Sequence, residues 1–424
     1  MLAANHGFYV GFKQQKTPVM PDASERFDVG SPDLYDYYLR HGNLASLDKE
    51  FKGGNELFHD QMVHDTYDAY WKKRDLSRHM KGVHAAVMTV GGWFDAEDLS
   101  GPFKTFHAID GFNPGAVNTL VVGPWTHGGW ARSDGDRLGD VTFRSKTSLY
   151  FRKEIQLPFF EMYLKGKAGE ALPKAYVFET GTNVWKKYEA WPPKQAVAKT
   201  LYFRRGGGLS FEAPTEKAGV DEYVSDPAHP VPYTSYPTDS VPQRYMDDDQ
   251  RFASERPDVL VYETEPLKED VTIAGPVKPM LKIASTGTDS DFVVKLIDVY
   301  PDDYPADTSK GSGIPVQMGG YQQLVRGEPM RAKFRESWEK PVALVPGKVT
   351  EVDNEMPDVN HTFRTRHRIM IQVQSSWFPL VDRNPQVFTD IPYAKPEQFM
   401  KATESVFRSA SEASGVGVLV MPQP

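Results

Sequence analysis

Two short stretches of the chain are apolar almost without interruption. VHAAVMTVGG (83–92) is the first and VNTLVVG (117–123) the second. A run with no polar alternation suits a strand covered on both faces, as in a parallel sheet. Between them, AEDLSGPFKTFHAI (96–109) has helical spacing and carries acids in its first turn, where the helix dipole favours them. Strand, helix and strand in close succession predict a βαβ unit with parallel strands and a right-handed crossover. SKTSLYFRKEIQLPFFEMYLKGK (145–167) predicts an amphipathic helix that closes this segment, kinked or restarted at Pro158.

The pattern differs on either side. Residues 1–80 are rich in aromatic and charged side chains and show no strand signal. LYDYYLRHGNLASLDKEF predicts a helix and a turn, and NELFHDQMVHDTYDAYWKKRDL one or two further helices. From about residue 168 the chain breaks into short alternating segments between Pro and Gly, such as KAYVFETG, KTLYFRRGG, PDVLVYETEPL, DFVVKLIDVYPDD and HRIMIQVQSSWFP. Short strands with regular turn punctuation and no long helix predict an all-β sandwich or jelly roll. Residues 213–258 form a Pro- and Asp-rich connection within it. The expected organisation is a helical region (1–80), an α/β region (81–166) and a β-sandwich (167–424).

Composition narrows the function classes. The chain has 424 residues, a length that fits two or three domains. Forty-nine basic and 57 acidic side chains give a net charge of −8, which disfavours an electrostatic nucleic-acid binder. No run of 18 apolar residues occurs, so the sequence offers no helical membrane span. The absence of Cys excludes disulfides, zinc–thiolate sites and a cysteine nucleophile, and leaves the compartment open between cytoplasm and periplasm or exterior. The opening MLAANHGFYVGFKQQ lacks the basic and apolar regions of a signal peptide.

Two motifs carry candidate chemistry. GGWFDAED places Asp95 just past the first apolar run, and GPWTHGGW places His127 just past the second. In open α/β sheets, sites form outside the carboxyl ends of the strands. There a carboxylate can accept the imidazole N–H, fix the tautomer and stabilise the imidazolium, as the orienting half of a catalytic triad. The alternative is an Asp that caps the following helix and a His bonded to a loop. A nucleophile is not found. No G-x-S-x-G elbow occurs. Ser100 lies in the expected helix, and Ser210 and Ser312 lie in the β-rich half.

VMTVGGWFDAEDLSGPFKTF, NTLVVGPWTHGGWARSDGDRLGDVTF and YFRKEIQLPFFEMYLKGK together resemble the cocaine-esterase/X-Pro dipeptidyl-peptidase (CocE/NonD) family of serine hydrolases, especially its α-amino acid ester hydrolases and glutaryl-7-aminocephalosporanic acid acylases. YVFETGTNVWKKYEAWPP and SVFRSASEASGVGVLVMP are similar to the start and end of that family's jelly roll. The resemblance implies an α/β plus all-β fold: the terminal part of an α/β-hydrolase domain with a helical cap, followed by a jelly-roll β-sandwich. It implies that Asp95 and His127 belong to a Ser-His-Asp triad whose serine and oxyanion hole lie before Met1. The chain alone is then expected to be inactive, with its first 166 residues poorly stable. Substrates would be small acyl esters or amides or short peptides. No cofactor, nucleic acid or membrane is implied, and homo-oligomerisation is left open. The rival reading is a β-sandwich that binds a ligand beside an inert triad remnant.

Weaker candidates complete the set. Glu97 and Asp98 follow Asp95 and are expected to point elsewhere. By the family resemblance, Asp65 or Asp68 would receive a substrate ammonium, although Asp68 also suits a helix cap. Trp93, Trp125 and Trp130 flank the motifs and are candidates to line an acyl pocket. His59, Asp60, His64 and Asp65 lack metal spacing, because a gap of five places the histidines on different helix faces. SDGDRLGD (133–140) lacks the spacing of a contiguous calcium loop.

Overall fold

The computed structural model describes residues 29–50, 55–309 and 315–423. Residues 1–28, the opening part of the expected helical region, and Ser312 lie outside the described residues.

The helical region follows from its caps. Helix α1 (Leu34–His41) begins where the Asp33 carboxylate accepts the Tyr35 N–H, and α2 (Glu56–Val63) where the Asn55 side chain accepts that of Phe58. Asp68 caps α3 (Ala69–Arg74) in the same way. Leu34, Tyr37, Tyr38, Leu47, Phe58 and Met62 gather in one cluster that is closed by Phe378 of the β-rich half. None of the described helices is long and apolar enough to cross a membrane.

The βαβ unit forms as the apolar runs require. Strand β1 (Val87–Gly92), helix α4 (Gly101–Phe112) and strand β2 (Asn118–Gly123) follow in order, and the two strands pair in parallel with Gly92 opposite Gly123. β2 is buried along its whole length, whereas Val87–Val90 of β1 are only half-buried. The difference is positional, since β1 is the edge strand of its sheet and β2 lies inside it. Helix α4 starts five residues later than its pattern suggests. Pro102 sits in its first turn, where a missing N–H costs nothing. Residues 95–98 instead form a separate turn around the Asp95 carboxylate.

The closing helix accommodates Pro158 with a wide turn. Over Phe151–Gln156 the backbone opens to a π-type turn, in which the Leu157 N–H reaches back five residues to Arg152 O. Helix α5 (Leu157–Lys165) then restarts with Pro158 in its first turn.

The next two strands differ from expectation. β3 (Ala175–Glu179) and β4 (Val184–Tyr188) had the short alternating look of the β-sandwich. Instead β3 pairs in parallel with β2, and β4 pairs antiparallel with β3. The first sheet therefore runs past residue 166.

Apart from a two-stranded ribbon of Arg137–Leu138 and Val141–Thr142, the remaining described strands, almost all antiparallel, join one twelve-stranded sheet that curls around an apolar core. β5 (Val271–Ser285) runs through its centre. Its first half pairs with β8 (Met356–Phe363) and its second with Thr350–Asp353, with a register shift at Gly275 beside Pro276. β6 (Asp291–Val299) is buried on both faces. Phe292, Val294 and Leu296 face the interior of the curled sheet. Val293 and Ile297 face Phe94, Phe103, Val122 and Phe178 of the α/β half. β7 (Gln322–Arg331) and β9 (Arg368–Gln374) flank β6.

Polar groups also lock the two sheets together. The Thr180 N–H donates to Asn360 O, and the Thr362 N–H donates to Thr180 O, so the backbone after β3 continues onto β8. Beneath this junction the buried Asp298 carboxylate meets His361 Nε2 at 3.2 Å and His367 Nδ1 at 2.8 Å, while His361 Nδ1 lies 2.8 Å from Thr180 Oγ1. Burial alone would raise the Asp298 carboxyl, but the hydrogen bonds from the two histidines outweigh it and hold it below its usual value. A depressed carboxyl adds stability above its unfolded value of 3.8, and that stability is lost as pH falls through the lower folded value. Urea midpoints measured from pH 6 to pH 2.5 are expected to fall below about pH 3.8, and Asp298→Asn is expected to flatten that limb. An unchanged acid limb in the variant would remove Asp298 as its source.

Candidate functional site

The two chemistry-bearing motifs meet because their backbones are bonded beyond the strand ends. The Trp93 N–H donates to Gly123 O, and the Phe94 N–H donates to Trp125 O. Gly92 permits this approach, since a Cβ there would collide with the Trp125 carbonyl. The chain after β1 is thus held against the chain after β2, and the next residue of the first motif is Asp95.

Asp95 is 1% exposed. Its Oδ1 accepts the N–H groups of Glu97 and Asp98, each at 2.9 Å. The same carboxylate faces His127 Nδ1, at 3.2 Å from Oδ2 and 3.3 Å from Oδ1. Asp95 therefore caps a turn and also orients a histidine, so the two roles weighed from the sequence coexist. The His127 side chain is 30% exposed. Gly128, in the left-handed region, turns the chain sharply after it. Among the described residues, no hydroxyl group hydrogen-bonds to the His127 ring. Ser100 stands at the start of α4 and Ser210 in a strand of the curled sheet.

Asp98 points toward the site rather than away from it. Its Oδ2 lies 3.5 Å from His127 Nδ1, and its side chain is 67% exposed. The Asp95, Asp98 and His127 ligand atoms all lie within 4.8 Å of one another. The edge of this site consequently carries a solvent-facing carboxylate.

A buried arginine supports the arrangement from below, and no local pattern announces it. Arg326, on β7, donates through Nη1 to Trp93 O at 2.9 Å and through Nη2 to Asp358 O at 2.8 Å. Burial lowers its guanidinium to about 10, opposed by Glu328 and Asp358. Arg326 thereby bolts the curled sheet to the residue two positions before Asp95.

The other candidates are differently placed. Asp65 lies beside Lys333 Nζ at 3.2 Å, in a cavity of about 550 Å³ between the helical region and β7. Asp68 caps α3 and lies 2.6 Å from His64 Nδ1, and the histidine hydrogen bond lowers its carboxyl. Both carboxylates are engaged by partners within the chain. Trp93 and Trp125 are buried core residues: Trp93 donates to Phe178 O and stacks on Phe103, and Trp125 donates to Thr147 Oγ1. Trp93 packs with Leu120 and Val122, and Trp125 with Val121 and Phe151, in two separate core clusters. Trp130 is half-buried against the Trp125 cluster.

Comparison with known proteins gives concordant matches. Residues 166–414 match the X-Pro dipeptidyl-peptidase C-terminal non-catalytic domain, and residues 13–129 match the X-Pro dipeptidyl-peptidase S15 family. Cocaine esterase of Rhodococcus sp. (strain MB1 Bresler) is 28% identical over 375 residues, which cover 84% of this chain and 60% of that protein. An aminopeptidase from a marine sediment Thaumarchaeota archaeon superposes with a TM-score of 0.88 at 38% identity, covering 95% of this chain and 66% of the other. An α-amino acid ester hydrolase superposes with a TM-score of 0.88 at 35% identity, covering 99% and 69%. The chain thus spans about 60% of the length of cocaine esterase and about two thirds of the two solved chains.

Proposed function

The chain belongs to the cocaine-esterase/X-Pro dipeptidyl-peptidase (CocE/NonD) family of serine hydrolases, and on that premise we propose that Asp95 and His127 are the acid and base of a Ser-His-Asp triad that hydrolyses esters or amides of small α-amino acyl groups. The observation that carries the reading is the contact between the buried Asp95 carboxylate and His127 Nδ1, which leaves Nε2 for a nucleophile. The serine is supplied by a segment of the whole protein that precedes residue 1. Supporting this are the shorter span of this chain and the lack, among the described residues, of a hydroxyl bonded to the imidazole.

In this reading Nε2 accepts the serine proton as Oγ attacks the acyl carbonyl, and Asp95 stabilises the imidazolium that results. The imidazolium returns the proton to the leaving alcohol or amine. Water then attacks the acyl-enzyme with His127 again as base. The chain alone, lacking that serine, does not turn over p-nitrophenyl acetate. A triad-like rate from it, abolished by His127→Ala, would show that it holds its own nucleophile.

The α-amino preference rests on Asp98 and on the relatives described as an aminopeptidase and an α-amino acid ester hydrolase. Asp65 and Asp68 are less suited, because Lys333 and His64 already face them. A charged hydrogen bond contributes about 1.5–3 kcal/mol, roughly 10- to 100-fold in kcat/KM. In the protein that includes the nucleophile, an α-amino ester is expected to exceed its des-amino analogue by that factor. Asp98→Asn should erase the advantage while leaving the des-amino rate nearly unchanged. Equal loss for both substrates would assign Asp98 to positioning His127 instead.

A further inference from the structure

The cavity of about 550 Å³ between the helical region and the end of β7 stands apart from the triad, since none of Asp95, Asp98 and His127 lines it. Its wall holds an ammonium taken out of water. The Lys333 side chain is 3% exposed, and its Nζ meets Asp65 Oδ2 at 3.2 Å. Among the described residues Nζ has no other hydrogen-bond partner. An ammonium carries three donors, and buried donors are normally satisfied. Two donors of Lys333 are therefore left for a guest. We propose that this cavity binds a free α-amino acid with an aromatic side chain, its carboxylate on Lys333, its ammonium on Asp65 and its ring among the aromatic walls.

The adjacency of the two groups selects this class. In an α-amino acid one carbon separates ammonium from carboxylate, so the groups that read both charges must themselves be neighbours, as Lys333 and Asp65 are. The Asp65 side chain is 32% exposed, and its Oδ1 accepts no hydrogen bond among the described residues. The other charged groups of the wall are committed. Arg331 gives Nε and Nη2 to Asp291 at 2.9 and 3.0 Å, His64 lies 2.6 Å from Asp68, and Asp382 Oδ1 accepts the Arg383 N–H. Acids outnumber bases in this wall, with Asp65, Asp291 and Asp382 against Arg331 and Lys333. A ligand with only a negative charge is thus disfavoured. An amino ester is disfavoured too, because its ammonium would meet Lys333 with no carboxylate to answer it. The site therefore takes the free acid rather than the α-amino esters proposed for the triad.

The rest of the wall is rich in rings. Phe58, Tyr67, Trp71, Phe334 and Trp338 line it, with Phe334 and Trp338 stacked at 5.7 Å. Trp338 is 53% exposed and, with Asp65, marks the mouth. The two sides are tied across that mouth, since the Tyr67 N–H donates to Trp338 O and Lys72 Nζ lies 2.6 Å from Glu339 Oε1. A space of this size, apolar with a few converging charges, suits a ligand as large as phenylalanine.

The test titrates this chain with L-phenylalanine, L-phenylalanine methyl ester and 3-phenylpropionate, read by tryptophan fluorescence. Phenylalanine is expected to give a saturable change, and each analogue, lacking one charge, to bind at least about tenfold more weakly. Lys333→Met should lower the affinity for phenylalanine by at least about tenfold. Asp65→Asn, at a partly exposed position, should invert the preference, since 3-phenylpropionate then meets Lys333 without a competing carboxylate. No turnover is involved, so the result stands or falls apart from the triad assignment. The proposal fails if phenylalanine gives no saturable change, which would leave the pair as a bridge between the helical region and the curled sheet. It fails equally if either analogue matches phenylalanine in the parent, or if phenylalanine binds both variants as it binds the parent.

Discussion

Asp95→Asn, in the protein that carries the nucleophile, is expected to lower turnover about 10⁴-fold with little change in KM. The reason lies in the two bonds that Oδ1 already accepts from Glu97 and Asp98. An asparagine keeps them by placing its carbonyl oxygen there, which turns its NH₂ toward His127 Nδ1. The imidazole must then accept at Nδ1 and carry its proton on Nε2, the wrong tautomer for a base. Asp98→Asn is expected to cost far less on a substrate without an amino group, because Asp98 meets Nδ1 from solvent at 3.5 Å. Steady-state kinetics on both variants decide the assignment. A crippled Asp98→Asn beside a mild Asp95→Asn would reverse the two roles.

The largest effect on stability is expected at Arg326. Arg326→Met preserves much of the side-chain volume but leaves Trp93 O and Asp358 O without donors. A buried acceptor stripped of its partner costs about 1–3 kcal/mol, so the variant should lose roughly 2–5 kcal/mol. The loss grows because Glu328 loses a compensating charge. Burial already raises the Glu328 carboxyl to about 7, and the Arg326 charge is the strongest influence that lowers it. Urea unfolding monitored by tryptophan fluorescence measures this, and a change below about 1 kcal/mol would show that water replaces both bonds. The activity loss should exceed what stability explains, since the freed carbonyl lies two residues from Asp95.

Much of this site is legible in the sequence, and what is missing has a common physical character. GGWFDAED and GPWTHGGW are readable because each follows an unbroken apolar run, and parallel strands place their carboxyl ends together. The start of α4 is misread because Asp95 captures the next two amides and Pro102 sets the true first turn. The pairing of β3 with β2 is not readable, because alternation shows that a strand has one covered face, not which sheet it joins. Trp93 and Trp125 are read as pocket residues because adjacency to a motif does not reveal which way a ring turns. Arg326, Asp298 and the Lys333 that faces Asp65 are invisible, since each acts on residues far away in the chain. The Asp98 contact is not expected from a helix starting at residue 96, and it arises because a turn follows Asp95 instead.

The continuity of β3 with β8 bears on how such proteins can be recombined. A junction placed at residue 166, where the sequence seems to change character, would separate β3 and β4 from the parallel strands they complete. A junction after β4 keeps that sheet whole but would leave Thr180 facing an unfamiliar Asn360 and His361. Chimaeras between relatives should therefore exchange the β-rich half only downstream of β4, and should carry β8 from the same parent as β3. The bonded seam ties β3 to β8 across the two sheets, and a cut chosen by strand pattern alone ignores it.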